Sequence, residues 1–190
     1  MARNIIFLGI KHCGKSTQGR LLAARLGREF IDTDELLTEY YVREYAPGGG
    51  DVSPRKIMQQ HGEEFFRKVE AGAIRQLLSR NNEQAVRVVA LGGGAACNIF
   101  LSDEEIKSLG VLVHLVIPPE KAYMRIAAGG IPPFLAGDDP FGKFTAMAEK
   151  RMKRYEEISD MQIHLPCDVP AEDVNVFIYR QLIDNGFLKQ

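Results

Sequence analysis

The stretch Gly9-Ile10-Lys11-His12-Cys13-Gly14-Lys15-Ser16 decides the fold. It reads as a glycine, four free positions and then Gly-Lys-Ser, which is the spacing of a phosphate-binding loop. Successive backbone N–H groups of such a loop converge on one point and cradle nucleotide phosphates. Gly14 leaves no Cβ between the backbone and a phosphate oxygen. In this pattern Lys15 sets its ammonium on the β- and γ-phosphates, and the Ser16 hydroxyl holds Mg2+. Upstream, Asn4-Ile5-Ile6-Phe7-Leu8 is a short apolar strand candidate, and downstream Ser16 to Arg28 has helical composition and period. An ordinary glycine-rich turn would account for the octet but not for its flanks. Strand, loop and helix in this order predict a nucleoside triphosphate site.

Strand-like runs at 4–8, 29–32, 86–91, 111–117 and, more weakly, 161–165 alternate with helical patterns. That alternation predicts an α/β chain, a parallel sheet covered by helices on both faces. The first helix should stop near Gly27, a good C-cap. Ser53-Pro54 opens a short helix, with proline in the tolerated first position. Longer helices are expected from Gly62 to Asn81 and from Pro140 to Ser159. The run Ala46-Pro47-Gly48-Gly49-Gly50-Asp51 reads as a flexible connection. Ala128-Gly129-Gly130-Ile131-Pro132-Pro133, continuing to Asp138-Asp139-Pro140, has the glycine hinges and the length of a mobile lid.

The 190 residues suffice for one domain with a substantial core, so a single domain over 1–190 is expected. A hydrophobic fraction of 45% and a charged fraction of 26% are those of an ordinary globular protein. With a net charge of −1 and no long basic run, a nucleic-acid partner has no electrostatic support. No apolar run approaches the ~20 residues of a membrane span, and the N-terminal one is too brief for a signal peptide. Cys13, Cys97 and Cys167 are widely spaced and lack metal-ligand spacing, which predicts free thiols and a cytoplasmic location. Cys13, inside the loop, reads as a small filler.

Asp32-Thr33-Asp34 closes the second strand candidate. In an open parallel sheet, ligands bind beyond the carboxyl ends of the strands, so both carboxylates should face the crevice of the phosphate loop. One would hold a Mg2+-bound water and the other would orient or deprotonate an acceptor hydroxyl. Capping the next helix is the alternative for either one. Val86 to Leu91 ends in Gly92-Gly93-Gly94, which permits close backbone approach by a ligand. That strand lacks a terminal aspartate for the metal, which leaves Asp32 and Asp34 for the task and favours a small-molecule kinase. Farther on, Phe144, Met147, Ala148 and Tyr155 form an apolar stripe with Arg151 inside it, while Lys150, Lys153 and Arg154 should point to solvent. Arg67 shares a face with Ile74 and Leu78. Either guanidinium needs a carboxylate or phosphate partner, internal or bound. Together these features describe a pocket for an anionic, hydroxylated substrate.

This constellation resembles the shikimate kinases, in the same order along nearly the whole chain. It comprises Gly9 to Thr17, Asp32-Thr33-Asp34, Gly62-Glu63-Glu64-Phe65-Phe66-Arg67, Gly92-Gly93-Gly94, a Pro/Gly-containing lid, and Arg151 with Tyr155. The resemblance implies a three-layer P-loop kinase fold with a lid near 127–140 and a substrate-binding helical segment near 34–81. It implies transfer of the γ-phosphoryl of ATP to the 3-hydroxyl of shikimate, with ATP and Mg2+ as cofactors, in aromatic amino-acid biosynthesis. Lys15 and Asp34 would then be catalytic. Gly9, His12, Cys13, Gly14, Lys15, Ser16 and Thr17 would hold the nucleotide, with Arg125 along the adenine. Asp34, Arg67, Arg151, Gly92, Gly93 and Gly94 would bind the substrate, and Ser16 and Asp32 the metal. The partner expected is a small molecule, with no nucleic acid and no membrane, and the chain is expected to be a monomer.

The chain departs from the family pattern twice. His12 stands where the family often has a further glycine, and its ring is expected to point outward. Pro132 stands where the family's lid carries an arginine directed at the transferring phosphoryl group, with Lys143 the nearest base downstream. A kinase for another small hydroxy acid such as gluconate, or a nucleotide-binding module with impaired catalysis, are the alternatives.

Overall fold

In the computed structural model, residues 3–80 and 86–189 are described. Its sheet contains β1 (Ile5–Leu8), β2 (Glu29–Asp32), β3 (Arg87–Ala90), β4 (Val111–Val116) and β5 (Met161–His164). They pair in the order β2-β3-β1-β4-β5, every pair parallel. The flanking helices are α1 (Lys15–Leu26), α2 (Thr33–Tyr45), α3 (Pro54–Ser79), α4 (Asp103–Lys107), α5 (Pro119–Ala128), α6 (Pro140–Ile158) and α7 (Ala171–Asp184). All of β1 is buried, as are the first five residues of β4. Strands covered on both faces read as continuous apolar runs, as β1 does and as β4 does apart from His114.

The order places β1 between β3 and β4. The chain leaves β1 toward one side to make β2, and leaves β3 toward the other to make β4. Such a reversal opens a crevice at the carboxyl ends of the strands. The register sets Asp32 opposite Ala90 and Phe7 opposite Ala90 on the other side. The loops after β1, β2 and β3 therefore leave the sheet side by side.

Helix α1 stops at Gly27, whose φ of +63° ends the helix while Arg28 N–H donates to Ala23 O at 2.9 Å. The short helix expected to open at Ser53-Pro54 and the longer one expected from Gly62 form one element, α3, kinked at Gly62, where φ is +81° and ψ 174°. Glycine tolerates this conformation, so the chain bends without separating into two elements. Asn81, the expected end of the second helix, lies outside the described residues. The segment between α5 and α6 contains only a 3-10 turn at Pro133–Leu135, and Asp139 caps α6 by accepting from Gly142 N–H at 2.8 Å.

Candidate active site

The loop after β1 is built around a buried thiol. A Cβ on Gly9 would lie 2.6 Å from Cys13 Sγ and 2.7 Å from Leu115 O, so only glycine fits there. Cys13 is buried, as a filler should be, and its N–H donates to Ile10 O at 3.2 Å. Lys15 Nζ donates to Gly9 O at 2.8 Å and to Ile10 O at 3.1 Å, and so lies across the loop. Gly14 begins α1 with no side-chain cap, leaving the first N–H groups of the helix to an anion. His12 is exposed, with φ at +63°, and its carbonyl accepts from Arg125 Nη1 at 3.0 Å. Partial burial, then Lys11, Lys15 and Arg125, hold its imidazole below the ordinary histidine range.

Asp32 takes the capping alternative and also reaches the phosphate loop. Its Oδ1 accepts from Asp34 N–H at 3.1 Å and caps α2, while its Oδ2 accepts from Ser16 Oγ at 2.6 Å. Asp34 has its carboxyl pushed above the ordinary aspartate range. Burial is the main cause and Asp32 adds to it, while Lys15 and Lys11 oppose it.

The three glycines after β3 serve protein groups as much as a ligand. A Cβ on Gly92 would come within 2.7 Å of Asp34 Oδ1, and its N–H donates to Thr33 Oγ1 at 2.7 Å. A Cβ on Gly94 would lie 2.4 Å from Arg67 Nη1. At Gly93 the nearest atom, Arg151 Nη1, would stand 3.6 Å away, so this residue alone has room to spare. Tyr155 Oη donates to Gly93 O at 2.5 Å and fixes the run from below. Burial raises that phenol's pKa well above its ordinary value.

The two arginines singled out by the sequence differ in their partners. Arg67 Nη1 donates to Glu70 at 3.2 Å and Nη2 to Glu63 at 3.4 Å. Glu70 is 4% exposed and also accepts from Asn98 Nδ2 at 2.9 Å. Burial still pushes its carboxyl above the ordinary range. Arg151, half-buried within its apolar stripe, makes no hydrogen bond or ion pair among the described residues. Arg154 corrects an expectation: it does not point to solvent. It ion-pairs with Asp103 and donates to Ala96 O at 3.1 Å, tying α6 to the turn after the glycine run.

These groups surround one cavity of about 700 Å³. Lys15, Ser16, Thr17, Asp32, Asp34, Arg67, Gly92 to Gly94, Arg125 and Arg151 line it, with Cys13 and His12 at the loop. Of the residues expected at the site, Gly9 alone does not line this cavity; the others share it. Lys143 does not line it; its Nζ donates to Ala136 O at 2.7 Å and braces the segment between α5 and α6. Glu70, Asn98 and Lys11 line or adjoin the site and were missed. Glu70 was accessible through its i,i+3 spacing from Arg67, and Lys11 occupies a free position of the octet itself.

A family model described as Shikimate kinase matches residues 11–180. The chain is 35% identical over 162 residues to a shikimate kinase of Symbiobacterium thermophilum, covering 84% of this chain and 85% of that protein. It is 36% identical over 158 residues to one of Aliivibrio fischeri, covering 83% and 84%. Among solved structures, shikimate kinase of Acinetobacter baumannii in complex with shikimate superposes with a TM-score of 0.79 at 30% identity, covering 98% of this chain and 96% of that one. The enzyme of Aquifex aeolicus superposes with a TM-score of 0.66 at 28% identity, covering 96% and 97%.

Proposed function

The chain belongs to the shikimate kinase family, and we propose that it transfers the γ-phosphoryl group of ATP to the 3-hydroxyl of shikimate. One observation carries this reading. Asp34 and an Arg151 without a hydrogen-bond or ion-pair partner among the described residues flank the glycine run, in the cavity that Lys15 enters from the phosphate loop.

The roles follow from the chemistry. Arg151 grips the substrate carboxylate with its planar fork, and Arg67 assists while Glu70 holds it in place. Asp34 accepts the proton of the attacking hydroxyl, a role suited to a carboxylate whose proton affinity burial has raised. The hydroxyl oxygen bonds to the γ-phosphorus, the bond from that phosphorus to the β-bridging oxygen breaks, and ADP leaves with the electron pair. Lys15 and the N–H groups opening α1 meet the phosphate charge. Arg125, held to the loop through His12 O, lies at the nucleotide end.

Ser16 Oγ and Asp32 Oδ2, 2.6 Å apart beside the loop, are hard oxygen donors of the kind Mg2+ takes. Mg2+ bound there, with water and phosphate completing its shell, would neutralise phosphate charge. The same reading makes residues 1–190 one catalytic domain, a monomer acting in the cytoplasm, with segment 127–140 as its lid. No helix among the described residues is long and apolar enough to cross a membrane.

The test is coupled ADP release with ATP and Mg2+ against shikimate, gluconate and other hydroxy acids. Turnover that depends on shikimate supports the reading. Turnover only with another acid reassigns the substrate, and ATP binding without turnover on any acid overturns the kinase reading.

A further inference from the structure

Phosphoryl transfer builds negative charge on the equatorial oxygens of the moving group, and a cation that reaches them lowers the barrier. The lid segment supplies none, since residues 126–142 contain neither lysine nor arginine. Other cations around the cavity are already engaged. Lys15 lies on the loop carbonyls, Arg125 on His12 O, and Arg67 on Glu70 and Glu63. Arg151 stands over Gly93, at the substrate floor.

Lys11 shares with Arg151 alone of these the lack of an internal hydrogen-bond or ion-pair partner among the described residues, but it stands on the phosphate loop and not on α6. It is exposed, lines the cavity, and its ammonium makes no hydrogen bond or ion pair among the described residues. Its backbone N lies 3.8 Å from the position of a Cβ on Gly93, which roots the side chain directly above the substrate floor. Its Nζ sits 5.9 Å from the ring centroid of Phe134, a 59% exposed residue in the 3-10 turn of the lid. A cation over an aromatic face at that distance is attracted to it. Lys11 thus bridges phosphate loop, acceptor side and lid.

We propose that Lys11 is a catalytic residue that supplies the cation for the transferring phosphoryl group, and that Phe134 positions it when the lid is down. The cation comes from the phosphate loop, on a flexible four-carbon stem, rather than from the lid. The electrostatics agree, since Lys11 lies close enough to Asp34 and to His12 to lower the proton affinity of both. The proposal rests on the kinase reading above.

The experiment compares Lys11→Met, Lys11→Arg, Phe134→Ala and Lys11→Met/Pro132→Arg with the parent, using melting temperature as a folding check. Expected for Lys11→Met is a kcat lower by ~10²- to 10³-fold, with the KM for shikimate and the affinity for ATP within about three-fold of the parent. Lys11→Arg should recover most of that loss. Phe134→Ala should lower kcat by about ten-fold, as a positioning contact does. Pro132→Arg should rescue Lys11→Met, because a guanidinium then reaches the same oxygens from the lid. A Lys11→Met variant that keeps its kcat, or changes only the KM for ATP, overturns the proposal and leaves the kinase reading intact. So does a loss that appears in Lys143→Ala instead. A parent without turnover on any hydroxy acid fails the kinase reading itself.

Discussion

Ser16 Oγ donates a 2.6 Å hydrogen bond to Asp32 Oδ2, joining the first turn of α1 to the end of β2. The same carboxylate caps α2 through Asp34 N–H. One side chain thus sets the phosphate loop, the candidate metal position and the direction in which Asp34 emerges.

Substitutions at Asp32 should separate these tasks. Asp32→Asn keeps a capping oxygen but loses the charge, so its melting temperature should stay near the parent's while half-saturation in Mg2+ rises by about ten-fold or more. Asp32→Ala should lose about 1 kcal/mol of stability as well. Thermal melts and Mg2+ titrations of turnover check both. Equal Mg2+ dependence in Asp32→Asn and the parent would remove Asp32 from the metal position.

Arg67 and Arg151 should fail in different ways. Arg67→Met leaves the buried Glu70 carboxylate with Asn98 as its remaining partner and should cost about 3 kcal/mol at neutral pH. Glu70 is already inclined to hold a proton by burial, and without Arg67 that inclination grows. The deficit should therefore shrink as pH falls and Glu70 becomes neutral. Arg151→Lys should leave stability unchanged and raise the KM for shikimate by roughly 10- to 100-fold, with nucleotide affinity unaltered. Denaturant curves at pH 5 and pH 8, with steady-state kinetics, distinguish the two.

His114 on β4 is 2% exposed, and neither ring nitrogen has a hydrogen-bond partner among the described residues. Burial lowers its pKa to about 4 from 6.5. The unfolded chain therefore takes up a proton below about 6.5, which the folded chain accepts only near 4, and stability falls as pH drops through that window. The full effect is about 3 kcal/mol. His114→Leu removes the titrating group and should raise stability more at pH 5 than at pH 8. An equal change at both values would contradict the neutral buried imidazole.

His12 holds a left-handed conformation, with φ at +63°, that glycine adopts at little cost. The departure from a glycine-bearing loop therefore carries strain. His12→Gly should stabilise the fold by up to about 1 kcal/mol, since the relief of strain is partly offset by the greater freedom of the unfolded chain. Arg125 should keep its bond to residue 12, because it is made to the backbone carbonyl. A melting temperature below the parent's would show that the imidazole itself contributes contacts.

The octet Gly9 to Ser16 with its flanking strand and helix was legible because its function depends on spacing within one loop. The acidic pair and the glycine run were legible for the same reason, each being a short motif at a strand end. The partners of those motifs were less accessible. Arg154 was read as solvated from its helical position, yet it meets Asp103 across 51 residues of chain. The glycines read as room for a ligand also make room for Asp34 and Arg67, which arrive from elements far away in sequence.

Local pattern by itself determined the α/β class, the parallel strands, the phosphate loop and the list of candidate side chains. These depend on periodicity and on short-range stereochemistry, which the order of residues carries directly. Only the tertiary structure decided the strand order β2-β3-β1-β4-β5, and with it which loops share a crevice. It also decided that Lys143 braces Ala136 while Lys11 lies beneath Phe134. A charge finds its partner through the packing of separate elements, and a one-dimensional pattern holds no distance between them.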